Sequence, residues 1–185
     1  MRVPAIVSRF TLASALLATM AIPARATTLM REGLDQLTAE NELVVQGRVL
    51  DTNSHWNDGH TLIFTDVKVR PSQVLKGRQE GDVTFTVLGG TVGDVTTLII
   101  GGAELLPGSD YVLFLSHADL PGAANRLTVR DHAQGAFNVD KGRAFSEAFG
   151  DPLLPDGEGR IDVPGGEDGL PIEELTRQVR AHQNR

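Results

Sequence analysis

The 185-residue sequence contains no cysteine. That single absence excludes disulfides, thiolate zinc sites, thiol nucleophiles and redox pairs, and leaves stability to the apolar core. Aromatic residues are scarce at 5%, with one Trp and one Tyr, and the 17 Lys and Arg are outnumbered by 24 Asp and Glu. A net charge of −7 repels phosphate backbones and anionic headgroups, which argues against nucleic acid and membrane-surface partners. After the N-terminal region no long hydrophobic run occurs, so no membrane insertion is expected of the rest. What is present, 41% apolar residues with 20 Gly and 9 Pro, is a globular, turn-rich composition, not that of a coiled coil, a collagen or a disordered chain.

Residues 1–26 have the order of an export signal. Arg2 and Arg9 supply a positive start, Phe10 to Ile22 an apolar stretch, and Ala24-Arg25-Ala26 the small-x-small pattern of a cleavage site. The apolar stretch falls short of the roughly 20 residues that span a bilayer. Cleavage removes three basic residues and no acidic one, leaving 14 basic residues against 24 acidic ones. The expected location is therefore outside the cytoplasm, periplasmic or extracellular.

Along the remaining chain, Met30, Leu34 and Leu37 space a short amphipathic helix over 29–41. Leu43, Val45 and Val49 alternate with Gln46 and Arg48 as a half-buried strand, and Ile63, Thr65, Val67 and Val69 form a second. Asn57-Asp58-Gly59 turns one into the other, and Pro71 is expected to end the second, since proline cannot donate to a central ladder. Shorter runs follow at 83–87, 95–100, 111–115, 126–130 and 135–139, divided by Gly- and Pro-containing turns. Tyr111 to Leu115 is continuously apolar, the pattern of a strand buried on both faces. This rhythm is that of a sandwich or barrel. Residues 151–169 read as an acidic Gly/Pro-rich loop, and Pro171 opens a C-terminal helix with acids first and bases last.

No familiar catalytic pattern is present. HExxH, GxSxG and SxxK are absent, and Ser109 in Pro107-Gly108-Ser109-Asp110 is explained by a turn. Gly89-Gly90-Thr91-Val92-Gly93 lacks the following helix and the lysine of a phosphate loop, and reads as a tight hairpin or bulge. Asp156-Gly157-Glu158 and Glu167-Asp168 match no EF-hand loop. His55 and His60 share a loop with Asp51 and Asp58, but their spacing fits no zinc pattern, so neither metal nor cofactor is expected. Trp56, the sole tryptophan, lies in the same polar loop, either as a binding anchor or as a plug folded back on a barrel end. The candidate binding residues are thus Trp56, His55 and His60 on one loop and Gly89, Gly90 and Gly93 on another.

Three stretches, Leu43-Val44-Val45-Gln46-Gly47-Arg48-Val49, Val74-Leu75-Lys76-Gly77 and Gly108-Ser109-Asp110-Tyr111-Val112-Leu113-Phe114-Leu115, together resemble a group of uncharacterised secreted bacterial β-domain proteins. The likeness covers about Leu43 to Val139. More remotely, the order is similar to netrin-like and TIMP-like domains, which are OB-fold barrels. The resemblance implies an OB-like barrel and protein binding. The N-terminal cysteine with which TIMP-like proteins chelate a protease zinc has no counterpart here.

The sequence thus predicts an all-β protein, an OB-like antiparallel barrel of five to seven strands with short N- and C-terminal helices. Its expected divisions are a signal peptide at 1–26, a helical lead-in at 27–41, the barrel at 42–140, an acidic loop at 141–170 and a helix at 171–185. The leading functional expectation is an exported non-enzymatic binding or accessory protein with an unidentified protein partner. The alternatives are an inhibitor or partner of a secreted protease, and a hydrolase or metal-dependent enzyme.

Overall fold

The computed structural model describes residues 31–130, 132–148 and 164–183. The export segment 1–26 and the acidic residues 151–163, with Asp156-Gly157-Glu158, lie outside the described residues. Ten strands and two α-helices are present among those described. The strands are β1 (Leu43–Trp56), β2 (Ile63–Lys76), β3 (Val83–Leu88), β4 (Gly90–Val92), β5 (Val95–Thr97), β6 (Asp110–Leu120), β7 (Ala123–Val129), β8 (Ala136–Asp140), β9 (Arg143–Ser146) and β10 (Leu170–Pro171). The helices are α1 (Leu34–Glu40) and α2 (Ile172–Gln183).

The main sheet has eight strands in the order β10-β9-β8-β6-β1-β2-β3, with β7 added to β6, and β4 and β5 form a separate two-stranded sheet. All the strand pairs are antiparallel. This corrects the barrel. The fold is mixed α/β with two sheets that do not close on themselves. β7 comes alongside β3, where an OB-like barrel would zip shut, but the two strands are not paired. Closure demands a matched tilt and stagger around the whole circuit. β3 instead ends at Gly89 and Gly90, whose φ of 94° and 128° turn the chain away from that seam into the β4–β5 arm. Such backbone is open to glycine and strained for other residues.

β6 organises the packing. Tyr111, Val112, Leu113, Phe114 and Leu115 are all at most 1% exposed, so the strand is buried on both faces as its apolar run predicts. Tyr111, Leu113 and Leu115 join Leu43, Val45, Val49, Val67, Val69, Val83 and Phe85 in a core inside the curl of the sheet. Val112 and Phe114 point the other way, against Val44, Leu75 and Phe137 and the helical residues Leu34, Leu37, Leu175 and Val179. Both helices thus cover one face of one sheet. β1 is consequently buried on two faces in its first half, where alternation alone suggests one; Val44 is as buried as Val45.

β2 also runs further than expected, through Pro71 to Lys76. Pro71 pairs with Gly47 beside a shift in register, and β3 pairs only with Phe64 to Val69, so the ladder beyond β2 has already ended there. Proline is tolerated at such a free edge. Gly47 is required by the same approach: a Cβ would come within 2.5 Å of the Arg70 carbonyl oxygen. α1 is only seven residues long and is held at its end by side chains. Asn41 Nδ2 donates to the Leu37 carbonyl at 2.9 Å, and Lys76 Nζ donates to the Thr38 and Ala39 carbonyls at 2.5 and 3.2 Å. A cation at the C-terminal carbonyls of a helix complements the dipole and satisfies otherwise orphaned acceptors.

Phe114→Ala should lower the free energy of unfolding by about 3–5 kcal/mol, because it opens a cavity between sheet and helices. Ile100→Ala, at a side chain 81% exposed, should change it by less than about 0.5 kcal/mol. Urea titrations of both variants check this, and equal losses would contradict the assignment of the core.

Candidate functional site

The unpaired seam between β3 and β7 leaves a concave feature on the curled side of the sheet. Val87 and Leu88 of β3, Ala118 and Leu120 of β6, and Thr128 and Val129 of β7 line a cleft of about 220 Å³. Ile99, Gly102 and Ala103 cross over it, and Arg130 stands at its β7 end. A second hollow of about 410 Å³ shares Val87, Leu88, Ile99, Gly102 and Ala103, and runs on past Thr52, Thr65 and Val67 to Leu105 and Leu106. The cleft is chiefly apolar, its polar side chains being Thr128 and Arg130. With no cross-strand pair to fill it, the seam stays open.

The segment 98–109 forms the wall of this cleft. Tyr111 anchors it: the buried phenol donates to the Glu104 carbonyl at 3.2 Å and accepts from Leu106 N–H at 3.1 Å. Ala133 N–H donates to the Gly101 carbonyl at 2.9 Å, and Gly108 N–H to the Val49 carbonyl at 2.8 Å. Ahead of these ties Ile99 lines the cleft. Leu98 and Ile100 point outward, 83% and 81% exposed, and Val95 and Leu106 are exposed as well. A water-facing patch of large aliphatic side chains beside an apolar cleft marks a binding surface more often than isolated exposed residues do.

Charges of both signs surround the cleft: Arg130 lines it, and exposed Arg126 pairs across from Ala118. From Gln79 to Asn125 the chain has no Lys or Arg, and its acids include Asp94, Glu104 and Asp119. Asp82 and Asp110, in the same span, are matched by Lys68 with Arg70 and by Arg48. Asp94 and Glu104 have no ion-pair partner among the described residues. Glu147, at the end of β9, is close enough to Glu104 for the two charges to repel. Burial, with that repulsion added, pushes the Glu147 carboxyl up to about 7.

Of the residues expected from sequence, Gly89 and Gly90 line the second hollow, while His55, Trp56, His60 and Gly93 line neither that hollow nor the cleft. His55 and Trp56 belong to the end of β1, and the strand continues through what the sequence suggests is loop. Trp56 is partly buried and stacks on His60, with ring centroids 6.1 Å apart; there is no barrel end for it to plug. His60 takes a φ of 52° in the turn after β1. Asn57 holds that turn, its Oδ1 accepting from Thr61 N–H at 2.8 Å and Leu62 N–H at 3.2 Å. The two expected loops do meet, at Gly90. A Cβ there would stand 2.3 Å from Thr65 Oγ1 and 2.4 Å from Ser54 Oγ, so this glycine lets the arm cross the β1–β2 hairpin. A Cβ at Gly89 would press on the Thr97 carbonyl oxygen at 2.9 Å, whereas one at Gly93, at the arm's tip, would meet nothing within 4 Å. Gly89 and Gly90 therefore serve the path of the chain and also line the second hollow, while Gly93 is open.

One polar constellation has catalytic residue types. Asp66 accepts from the Thr86 hydroxyl at 2.6 Å and lies 3.2 Å from His55 Nε2. His55 Nδ1 lies 3.0 Å from the Trp56 carbonyl oxygen. Both imidazole nitrogens thus face oxygen acceptors, and the hydroxyl is bonded to the carboxylate instead of the histidine. A base must be free to take a proton from its nucleophile, and this order of groups leaves none free. No group of three metal-ligating side chains exists among the described residues, so the metal-dependent alternative has no centre there. The accessory and protease-inhibitor readings were built on the OB-like barrel and fall with it. Nor is any helix among the described residues long and apolar enough to cross a membrane.

Sequence reasoning missed Leu98, Ile99, Ile100, Ala103, Ala118 and Leu120, having read 95–100 as a strand. The available signal was Leu98-Ile99-Ile100 followed by Gly101-Gly102, three aliphatics in a row running into a break.

Glu147 carries a pH effect of defined sign. Its carboxyl loses a proton near 4.5 when unfolded and near 7 when folded. The folded state thus holds the extra proton between these values, and stability falls as pH rises through that window. Glu147→Gln should match wild type near pH 4 and exceed it above pH 7 by about 1–2 kcal/mol, a figure reduced for solvent screening. Paired denaturation curves across this range check it; a constant difference would refute the assignment.

No family model matches the chain, and no curated protein matches it.

Proposed function

We propose that this domain binds an apolar group in the open seam between β3 and β7. The observation that carries the reading is the cleft itself: Val87, Leu88, Ile99, Ala118, Leu120 and Val129 face an unfilled space of about 220 Å³, with exposed Leu98 and Ile100 beside it. A buried aliphatic side chain contributes about 1.5–3 kcal/mol, so one or two such groups entering the cleft suffice for an anchor. This differs from binding across a barrel face, since the site exists because the barrel does not close. Binding without catalysis is part of the reading, supported by the engaged state of His55 and Thr86. Kinship with secreted bacterial β-domain proteins is likewise a proposal, supported by the motif order from Leu43 to Val139.

Ala118→Trp places a large ring in the cleft from β6. It should abolish the fluorescence enhancement of an environment-sensitive apolar dye while the far-ultraviolet circular dichroism stays that of the wild type. Unchanged dye binding in a folded variant would discard the site.

Export is supported by the basic, apolar and small-residue order of residues 1–26. N-terminal sequencing of the protein expressed in a bacterium should read Thr27 first, and a chain retaining Arg2 and Arg9 would count against it.

A further inference from the structure

Resting on that reading, we infer that residues 90–100, which include the β4–β5 arm, are a gate over the seam, with Ile99 as its latch. With the arm down, Ile99 belongs to the walls of both hollows. Lifting the arm withdraws that shared wall and joins the two spaces.

Both ends of the stretch are pinned to the body of the fold. Gly89 N–H donates to the Ile63 carbonyl at 2.9 Å, and Thr65 Oγ1 donates to the Gly89 carbonyl at 2.7 Å. At the far end Ala133 N–H donates to the Gly101 carbonyl at 2.9 Å. Between these pins, every hydrogen bond that residues 90–100 make among the described residues stays within 90–102. These bonds are the β4–β5 ladder, the Thr91–Thr96 hydroxyl pair at 2.9 Å and Gly102 N–H to the Ile99 carbonyl at 3.1 Å. No ion pair ties the stretch down among those residues either. Glycine stands at each pin, Gly90 with a φ of 128° and Gly101 with a φ of 72°. A few such positions can absorb the backbone rotation of a hinge. Gly90 also rests against Ser54 and Thr65 of the β1–β2 hairpin, which makes it the pivot. The arm can therefore swing as a unit without breaking a bond of the main sheet.

What holds the arm down is apolar contact, and there is little of it. None of Val92, Val95, Leu98, Ile99 and Ile100 is buried. Lifting gives up only the partial cover over Val92 and Ile99, since Val95, Leu98 and Ile100 already face water. Ile99 is nonetheless placed where movement matters. Alone among residues 90–100 it lines both hollows, and Val87, Leu88, Gly102 and Ala103 complete their common wall. Those four belong to β3 and to the chain beyond the Gly101 pin, so they stay while Ile99 leaves. A segment with few buried contacts and no hydrogen bonds to its surroundings opens at low cost. Openings of this kind decide how fast a ligand enters.

The experiment mixes the full chain with the environment-sensitive apolar dye in a stopped-flow fluorimeter. The observed binding rate should level off as dye concentration rises, because arm opening becomes limiting. Ile99→Ala, with the far-ultraviolet circular dichroism of the wild type, should raise that plateau by about tenfold or more. A rate that stays proportional to dye, and that changes less than about twofold in folded Ile99→Ala, would overturn the gate and leave the cleft standing. Absence of dye binding in both proteins would overturn cleft and gate together, whereas binding by Ile99→Ala alone upholds both. Should Ile99→Ala fail to fold, spin labels decide. The chain has no cysteine of its own, so Leu98→Cys on the arm side and Ala124→Cys on β7, both at exposed positions, report one distance. Saturating dye should populate a longer distance, and an unchanged distribution with the dye bound would overturn the gate.

Discussion

The structure depends on one strand having no polar face. Five consecutive side chains of β6, from Tyr111 to Leu115, must all leave water, and a strand can achieve that only if both sides of its sheet are covered. One side is covered by the sheet itself, curling so that β1, β2 and β3 enclose Tyr111, Leu113 and Leu115. The other is covered by α1 and α2, which reach it from opposite ends of the described chain. The curl, the two helices and the placement of the seam follow from this requirement. The curl brings β7 alongside β3, and nothing in the apolar demand requires them to join.

Strands were legible in the sequence wherever alternation or a full apolar run set a period of two. Leu43, Val45, Val49, Val67 and Val69 do share one core. What could not be read was which edges pair. The hydrophobic pattern of β3 or β7 is the same whether its outer edge meets a partner or faces a gap, because edge hydrogen bonds are made by backbone that every residue possesses. The closed barrel was an extrapolation from pattern to closure, and the chain declines it at Gly89 and Gly90. Pro71 misled for a related reason. Its effect depends on whether the neighbouring ladder extends that far, and pairing of β3 stops at Val69.

The candidate site was less legible than the fold. In the sequence Trp56 and the histidines stand out as rare aromatic and titratable residues in a polar loop. In the structure those groups are bound to one another and to the backbone, Trp56 on His60 and His55 on Asp66. The cleft is made of residue types that are inconspicuous singly, such as Ala103, Ala118 and Val129, drawn from four separate stretches of chain. Only folding assembles them. The one local hint was the run Leu98-Ile99-Ile100, whose alternation continues past the end of β5, inward and outward, with no neighbouring strand to explain it.

The β4–β5 arm has its own ladder, and its register is independent of the eight-stranded sheet. Residues added or removed at its tip, where a side chain at Gly93 would meet nothing, would shift no pairing of β1, β2 or β3 and expose no part of either core. In a main strand the same change would move every following side chain to the wrong face. The arm is therefore the part of this fold whose length is free to drift over generations, and with it the reach of the wall beside the seam. The scaffold can be retained while its grip is resized.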